Sequence, residues 1–127
     1  LSSFSGPLQV RILDVPRDGR VTAELLKPFR YDPGSGEGPI EAPAGFVTDF
    51  ASVPWGLWNL EPPLGDAAKA AVVHDYLYAS SGLSGRFSRA RADGLFRQAL
   101  ADSGVPAWKR FVLWAAVRLG GAGGWGH

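Results

Sequence analysis

The chain contains no cysteine. That absence removes a disulfide framework, a thiolate metal centre and a cysteine nucleophile from consideration. A dominant charge of one sign is also lacking: thirteen Lys and Arg against twelve Asp and Glu leave a formal charge of +1. So small an excess argues against a protein whose main work is neutralising a nucleic-acid backbone or an anionic membrane. No run approaches the roughly 18–20 consecutive apolar residues of a membrane span, so no transmembrane segment is expected. The opening residues, LSSFSG, lack the basic-then-apolar pattern of a signal peptide. P-loop, dinucleotide-binding, zinc-finger and nucleophile-elbow patterns are missing as well.

What is present is an ordinary globular balance, 46% hydrophobic and 20% charged over 127 residues. A chain of this size is expected to form one domain, 1–127, with a Gly-rich tail at 120–127. Seventeen Gly and ten Pro exceed the roughly 12% average for the two together. They form no repeat and separate apolar segments, which marks them as turns in a loop-rich fold.

The chain divides near Pro62 and Pro63. Before them, at about 8–54, the pattern is that of a small antiparallel β element. Residues 8–13 (LQVRIL) alternate, with Leu8, Val10 and Ile12 on one face. Residues 20–31 read as a second strand that Pro28 places at an edge or ends. Residues 40–50 read as a broken third strand. After Gly65 the period becomes helical. Helices are expected at about 66–78, capped by Asp66 and closed by Ser81–Gly85, at 88–102, capped by Ser88 and ended by Gly104, and at 107–119, opened by Pro106. The fold class is therefore α+β: a small antiparallel β element followed by three packed helices.

Two stretches exceed what packing requires. In GFVTDFASVPW (45–55), Asp49 interrupts an apolar run, and a buried carboxylate must be paired, metal-bound or capping a turn. In AVVHDYLY (71–78), His74 lies among apolar residues, Asp75 follows it, and Tyr78 sits one turn on along the same face. Asp93 shares a stripe with Phe96 and Leu100 on the next helix, from which it can reach His74. A carboxylate on one imidazole nitrogen fixes the tautomer and raises the basicity of the other nitrogen, which can then take a proton from water. The alternative is a buried polar network that only locks loop to helices.

The run FVTDFASVP (46–54), with HDYLY (74–78), Ala92-Asp93 and Phe96, resembles the small phage and prophage proteins of domain-of-unknown-function family 1353, over about 8–119. That resemblance implies phage ancestry, and with it a place in the host cytoplasm or the phage particle. His-Asp-x-x-Tyr followed by an Asp on the next helix is similar to the core of A2-type phospholipases. It implies His74 as the base that activates water, Asp93 as the orienting carboxylate and Tyr78 as a hydrogen-bond donor behind it. Asp75 would be a calcium ligand. Where those enzymes carry a Gly-rich calcium loop, this chain has 48–56 (TDFASVPWG), from which Asp49 and nearby carbonyls could complete a shell. More broadly, Asp49, His74, Asp75 and Asp93 could hold a divalent metal, Ca2+ first and Zn2+ or Mg2+ as alternatives, with a water at an open position.

Two functions follow. One is a metal-assisted hydrolase acting on an ester or lipid. The other is a non-catalytic virion or tail component, in contact with other phage proteins. Trp55 and Trp58 read either as a lipid- or partner-facing rim or as cover for a small core. The third helix holds too many large apolar residues for one stripe, and is expected to be wedged between layers or docked on a partner. Arg86, Arg89, Arg91 and Arg97 read as a solvated face.

Overall fold

The computed structural model describes residues 3–13, 22–34, 36, 38–48, 65–84 and 87–120, with 81–84 described by backbone alone. Asp49, Trp55, Trp58 and the tail beyond Gly120 lie outside the described residues. The elements run β1 (Ser3–Phe4), β2 (Val10–Ile12), β3 (Ala23–Leu25), β4 (Phe29–Asp32), β5 (Ile40–Ala42), β6 (Val47–Thr48), α1 (Ala68–Ser84), α2 (Arg89–Asp102) and α3 (Ala107–Gly120). The strands form two antiparallel three-stranded sheets, ordered β1-β4-β5 and β2-β3-β6. The architecture is α+β, as expected.

Proline sets the strand boundaries. The segment expected as one strand over 20–31 is cut at 26–28, so that β3 and β4 fall in different sheets. Pro28 cannot donate to a ladder and biases Lys27 away from simple continuation. The third segment is divided in the same way. Pro43, Ala44 and Gly45 turn the chain between β5 and β6, with Gly45 at φ +89°, a conformation glycine adopts without strain. Phe29 and Tyr31 face Ala42 and Ile40 across the β4–β5 ladder, and all four are buried. The intervening Arg30–Glu41 pair is exposed and contributes little.

Two strand expectations need correction. Ser3–Phe4, not anticipated, pairs with β4, and the Phe4 ring lies 4.8 Å from that of Tyr31. On β2 the expected inward face is incomplete: Val10 is half-buried and Ile12 is 50% exposed. β2 is an edge strand, bonded to β3 alone among the described strands.

The helices carry most of the core. α1 begins at Ala68, after a turn closed by the Ala68 amide on the Gly65 carbonyl, and Asp66 lies within that turn. It continues to Ser84 rather than stopping near Tyr78. One interior glycine costs a helix only about 1 kcal/mol relative to alanine, too little to end one that packs along its length. α2 matches its expected span. The Ser88 hydroxyl accepts from the Arg91 amide at its start. At its end the Gly104 and Val105 amides bond to the Ala101 and Leu100 carbonyls, with Gly104 at φ +83° and Val105 buried. This is a Schellman ending with its apolar anchor. α1 packs on α2 and on β5 and β6, and α3 packs on α2. Ala67, Ala70, Ala71, Ala92 and Ala99 are fully buried, and such small side chains permit close helix approach. α3 is not wedged between layers: Leu113 and Val117 are buried while Trp108, Phe111 and Leu119 are exposed.

Candidate functional site

Helical spacing positions the first two groups. His74 and Tyr78 are four residues apart on α1, so both project from one face, with ring centroids 4.2 Å apart. The Phe96 ring lies 4.7 Å from the imidazole on the α2 side. Into this apolar setting α2 delivers Asp93, which has no exposed surface. Its Oδ1 accepts from His74 Nε2 at 2.6 Å and from the Tyr78 hydroxyl at 2.6 Å. Its Oδ2 accepts from Arg118 of α3 at 2.8 Å. All three helices therefore meet at one carboxylate.

The state of that carboxylate follows from opposing effects. Burial alone would raise the Asp93 pKa. The hydrogen bonds from His74 and Tyr78, the His74 charge and the Arg118 contact outweigh burial and hold it below the ordinary carboxylate value. Because Arg118 supplies a permanent counter-charge, ionisation of Asp93 does not require a proton shared from His74. An ionised carboxylate only accepts, so the nitrogen that His74 presents to Asp93, Nε2, carries a proton.

Tyr78 is set by the same carboxylate. Burial, then the hydrogen bond to Asp93, pushes its pKa up to about 12, against the opposing pull of Arg89. Arg89 Nε donates to the Tyr78 hydroxyl at 3.1 Å, and its terminal nitrogen donates to the Val117 and Arg118 carbonyls at 2.8 Å each. Arg89 thus clamps the end of α3, where a cation also meets the negative end of the helix dipole. Reading Arg89 as part of a solvated face is corrected: it is half-buried, and its guanidinium donates to Tyr78 and to the Val117 and Arg118 carbonyls.

Asp75 points elsewhere. It is one residue after His74, about 100° around the helix, and accepts from the hydroxyl of the buried Thr48 at the end of β6. Of the expected ligand set Asp49, His74, Asp75 and Asp93, the three described members do not come together as one cation site. Among the described residues no three His, Cys, Asp or Glu side chains form a cation site. The oxygens shown there, the Asp75 carboxylate itself and the Thr48 hydroxyl, are hard donors that fit Ca2+ or Mg2+ rather than Zn2+. Asp49, the other expected ligand, directly follows Thr48 and lies outside the described residues.

Sequence reasoning brought together His74, Asp93 and Tyr78, and missed Arg118, Arg89 and Thr48. A signal for Arg118 did exist. A fully buried carboxylate facing only a histidine and a tyrosine lacks a permanent counter-charge, and Arg118 adjoins the inward Val117 on α3.

No helix among the described residues is long and apolar enough to cross a membrane. No curated protein and no solved structure matches the chain. A family model described as a protein of unknown function, DUF1353, matches residues 23–117. The match begins at β3, later than the expected start near Leu8, and includes His74, Tyr78, Arg89 and Asp93, with Arg118 one residue beyond its end. The chain belongs to the DUF1353 family.

Proposed function

We propose that the chain is a small, phage- or prophage-derived hydrolase of ester or lipid substrates in which His74 activates water. The observation that carries this reading is the His74 Nε2–Asp93 Oδ1 bond of 2.6 Å to a carboxylate held ionised by Tyr78 and Arg118. Such an arrangement fixes ring orientation and tautomer, which a general base requires. The likeness of His74, Asp75, Tyr78 and Asp93 to the A2-type phospholipase core supports the same chemistry. Its setting would be the host cytoplasm or the phage particle.

In this mechanism Nδ1 takes a proton from water as the water oxygen adds to the ester carbonyl carbon. The imidazolium formed is stabilised by Asp93. When the bond to the leaving alkoxide breaks, the same proton passes from Nδ1 to that oxygen. Tyr78 and Arg118 act through Asp93 and are positioning residues. Asp75, with Asp49, would hold a divalent cation, Ca2+ by donor chemistry, which supplies carbonyl polarisation when bound.

The test is fatty-acid release from short-chain diacylphospholipid with Ca2+, Mg2+, Zn2+ or a chelator. The expected result is turnover with Ca2+ that falls about 10²–10⁴-fold in His74→Ala, with circular dichroism unchanged. Absence of release by the unaltered protein under every condition refutes it.

A second reading is a non-catalytic virion or tail component, and the burial of His74 at 2% exposure favours it. In that case His74→Ala costs about 2–4 kcal/mol of stability, as other disrupted buried networks do.

A further inference from the structure

The net charge of +1 conceals an uneven distribution. α2 and α3 together carry six Arg and Lys against two Asp. Of those two, Asp93 is buried under Arg118 and Asp102 accepts from the Tyr31 hydroxyl at 2.6 Å. α3 itself has no acidic residue.

The outer face of α3 is apolar where a surface helix is ordinarily polar. At 100° per residue, Trp108, Phe111, Val112, Ala115 and Leu119 fall within an arc of about 100°. That arc lies opposite the buried Leu113 and Val117. Trp108 is 57% exposed, Phe111 54% and Leu119 89%. Cations border this ridge on both sides. Lys109 Nζ lies 5.7 Å from the Trp108 ring, and on the α2 side Arg97 lies 5.3 Å from the ring of Trp114.

We infer that the outer face of α3 docks on an anionic lipid surface, with Trp108, Phe111 and Leu119 entering the headgroup–acyl boundary and Lys109 and Arg97 meeting lipid phosphates. Charge complementarity selects this occupant. Pairing with a second copy would oppose one acid-free basic helix to another. A nucleic-acid backbone needs cations at the centre of the contact, whereas here the centre is apolar and the cations are at its edges. Amphipathic helices that lie in the membrane interface have that arrangement, and long basic side chains reach outward to headgroups from such positions.

The test is flotation of the whole chain with vesicles of ether-linked lipid, which cannot be hydrolysed at an ester. The result is thereby independent of the proposed hydrolysis. One vesicle contains phosphatidylcholine alone and the other phosphatidylcholine with phosphatidylglycerol. Binding is expected to the anionic vesicle. Lys109→Gln and Arg97→Gln should each weaken it about fivefold, the worth of one cation near such a surface. Trp108→Ser with Phe111→Ser should abolish it. Both side chains are more than half exposed, so the fold should persist, as circular dichroism would verify. Absence of binding, equal binding to both vesicles, or binding that survives the double variant overturns the proposal. So does a concentration-dependent dimer in light scattering that the double variant dissolves.

Discussion

Replacing Arg118 by methionine keeps most of the stem volume and removes the one permanent positive charge bonded to Asp93 among the described residues. The cost can be bounded from both ends. Breaking a wholly buried ion pair costs about 3–5 kcal/mol, and an exposed pair is worth about 0–1 kcal/mol. Here the Arg118 side chain is 33% exposed and Asp93 is at 0%, with a 2.8 Å contact. His74 and Tyr78 continue to donate to Oδ1 after the change. A loss of about 2–3 kcal/mol is therefore expected, closer to the buried limit because the carboxylate is left without its fixed counter-ion. Urea unfolding followed by circular dichroism reads it as a lowered midpoint with unchanged slope. The pH dependence supplies a second reading. A carboxyl whose pKa is depressed by folding contributes stability present above its ordinary value and lost as pH falls through the folded value. Without Arg118 that depression lessens, so acid unfolding of Arg118→Met should begin at higher pH. The double-mutant cycle with Asp93→Asn isolates the pair. In the Asp93→Asn background, Arg118→Met should cost less than about 1 kcal/mol, leaving a coupling of roughly 1.5–2 kcal/mol. Equal costs in the two backgrounds would refute the idea that Arg118 acts through Asp93.

Three further outcomes follow from particular contacts. With its pKa raised to about 12, Tyr78 contributes stability that is complete below its ordinary pKa of about 10 and lost as pH rises through 12, roughly 2–3 kcal/mol in all. Tyr78→Phe should flatten that alkaline limb in unfolding curves taken across the range, and should cost about 1–2 kcal/mol at neutral pH. Gly104→Ala meets no atom within 4 Å but holds φ at +83°; the backbone penalty of about 1–2 kcal/mol should appear as a lowered thermal midpoint. Thr48→Val deletes the donor to Asp75, and because that carboxylate is half-exposed and can rehydrate, the loss should be about 1 kcal/mol by denaturant titration.

Much of this site was readable before any coordinates, and the reason is local periodicity. His74 and Tyr78 are one helical turn apart, and Asp93 shares its spacing with Phe96 and Leu100, so an inward carboxylate opposite an inward imidazole followed from a 3.6-residue repeat. Arg118 and Arg89 were hidden because their roles depend on where the end of α3 crosses α2, a tertiary relation that no period encodes. Asp75 illustrates the limit of adjacency: neighbours on a helix face different directions, and Thr48 on a distant strand received it. The same contrast holds for the fold. α2, bounded by Ser88 and Gly104, was legible to the residue because both caps carry side-chain or backbone chemistry of their own. β1, only two residues long, is defined by pairing with β4 and has no signal of its own. Ile12 alternates like a core residue, yet sits on an edge strand and stays half exposed.

The most direct measurement is long-range ¹H–¹⁵N correlation of the histidine rings at neutral pH, with His74 assigned through a His127→Gln control. The expected spectrum shows neutral His74 protonated on Nε2, with a downfield Nε2 proton that disappears in Asp93→Asn, and Nδ1 as the nitrogen that takes up a proton on acidification. A ring protonated on Nδ1 instead, or one whose tautomer is indifferent to Asp93, would contradict the assignment of His74 as a base oriented by that carboxylate.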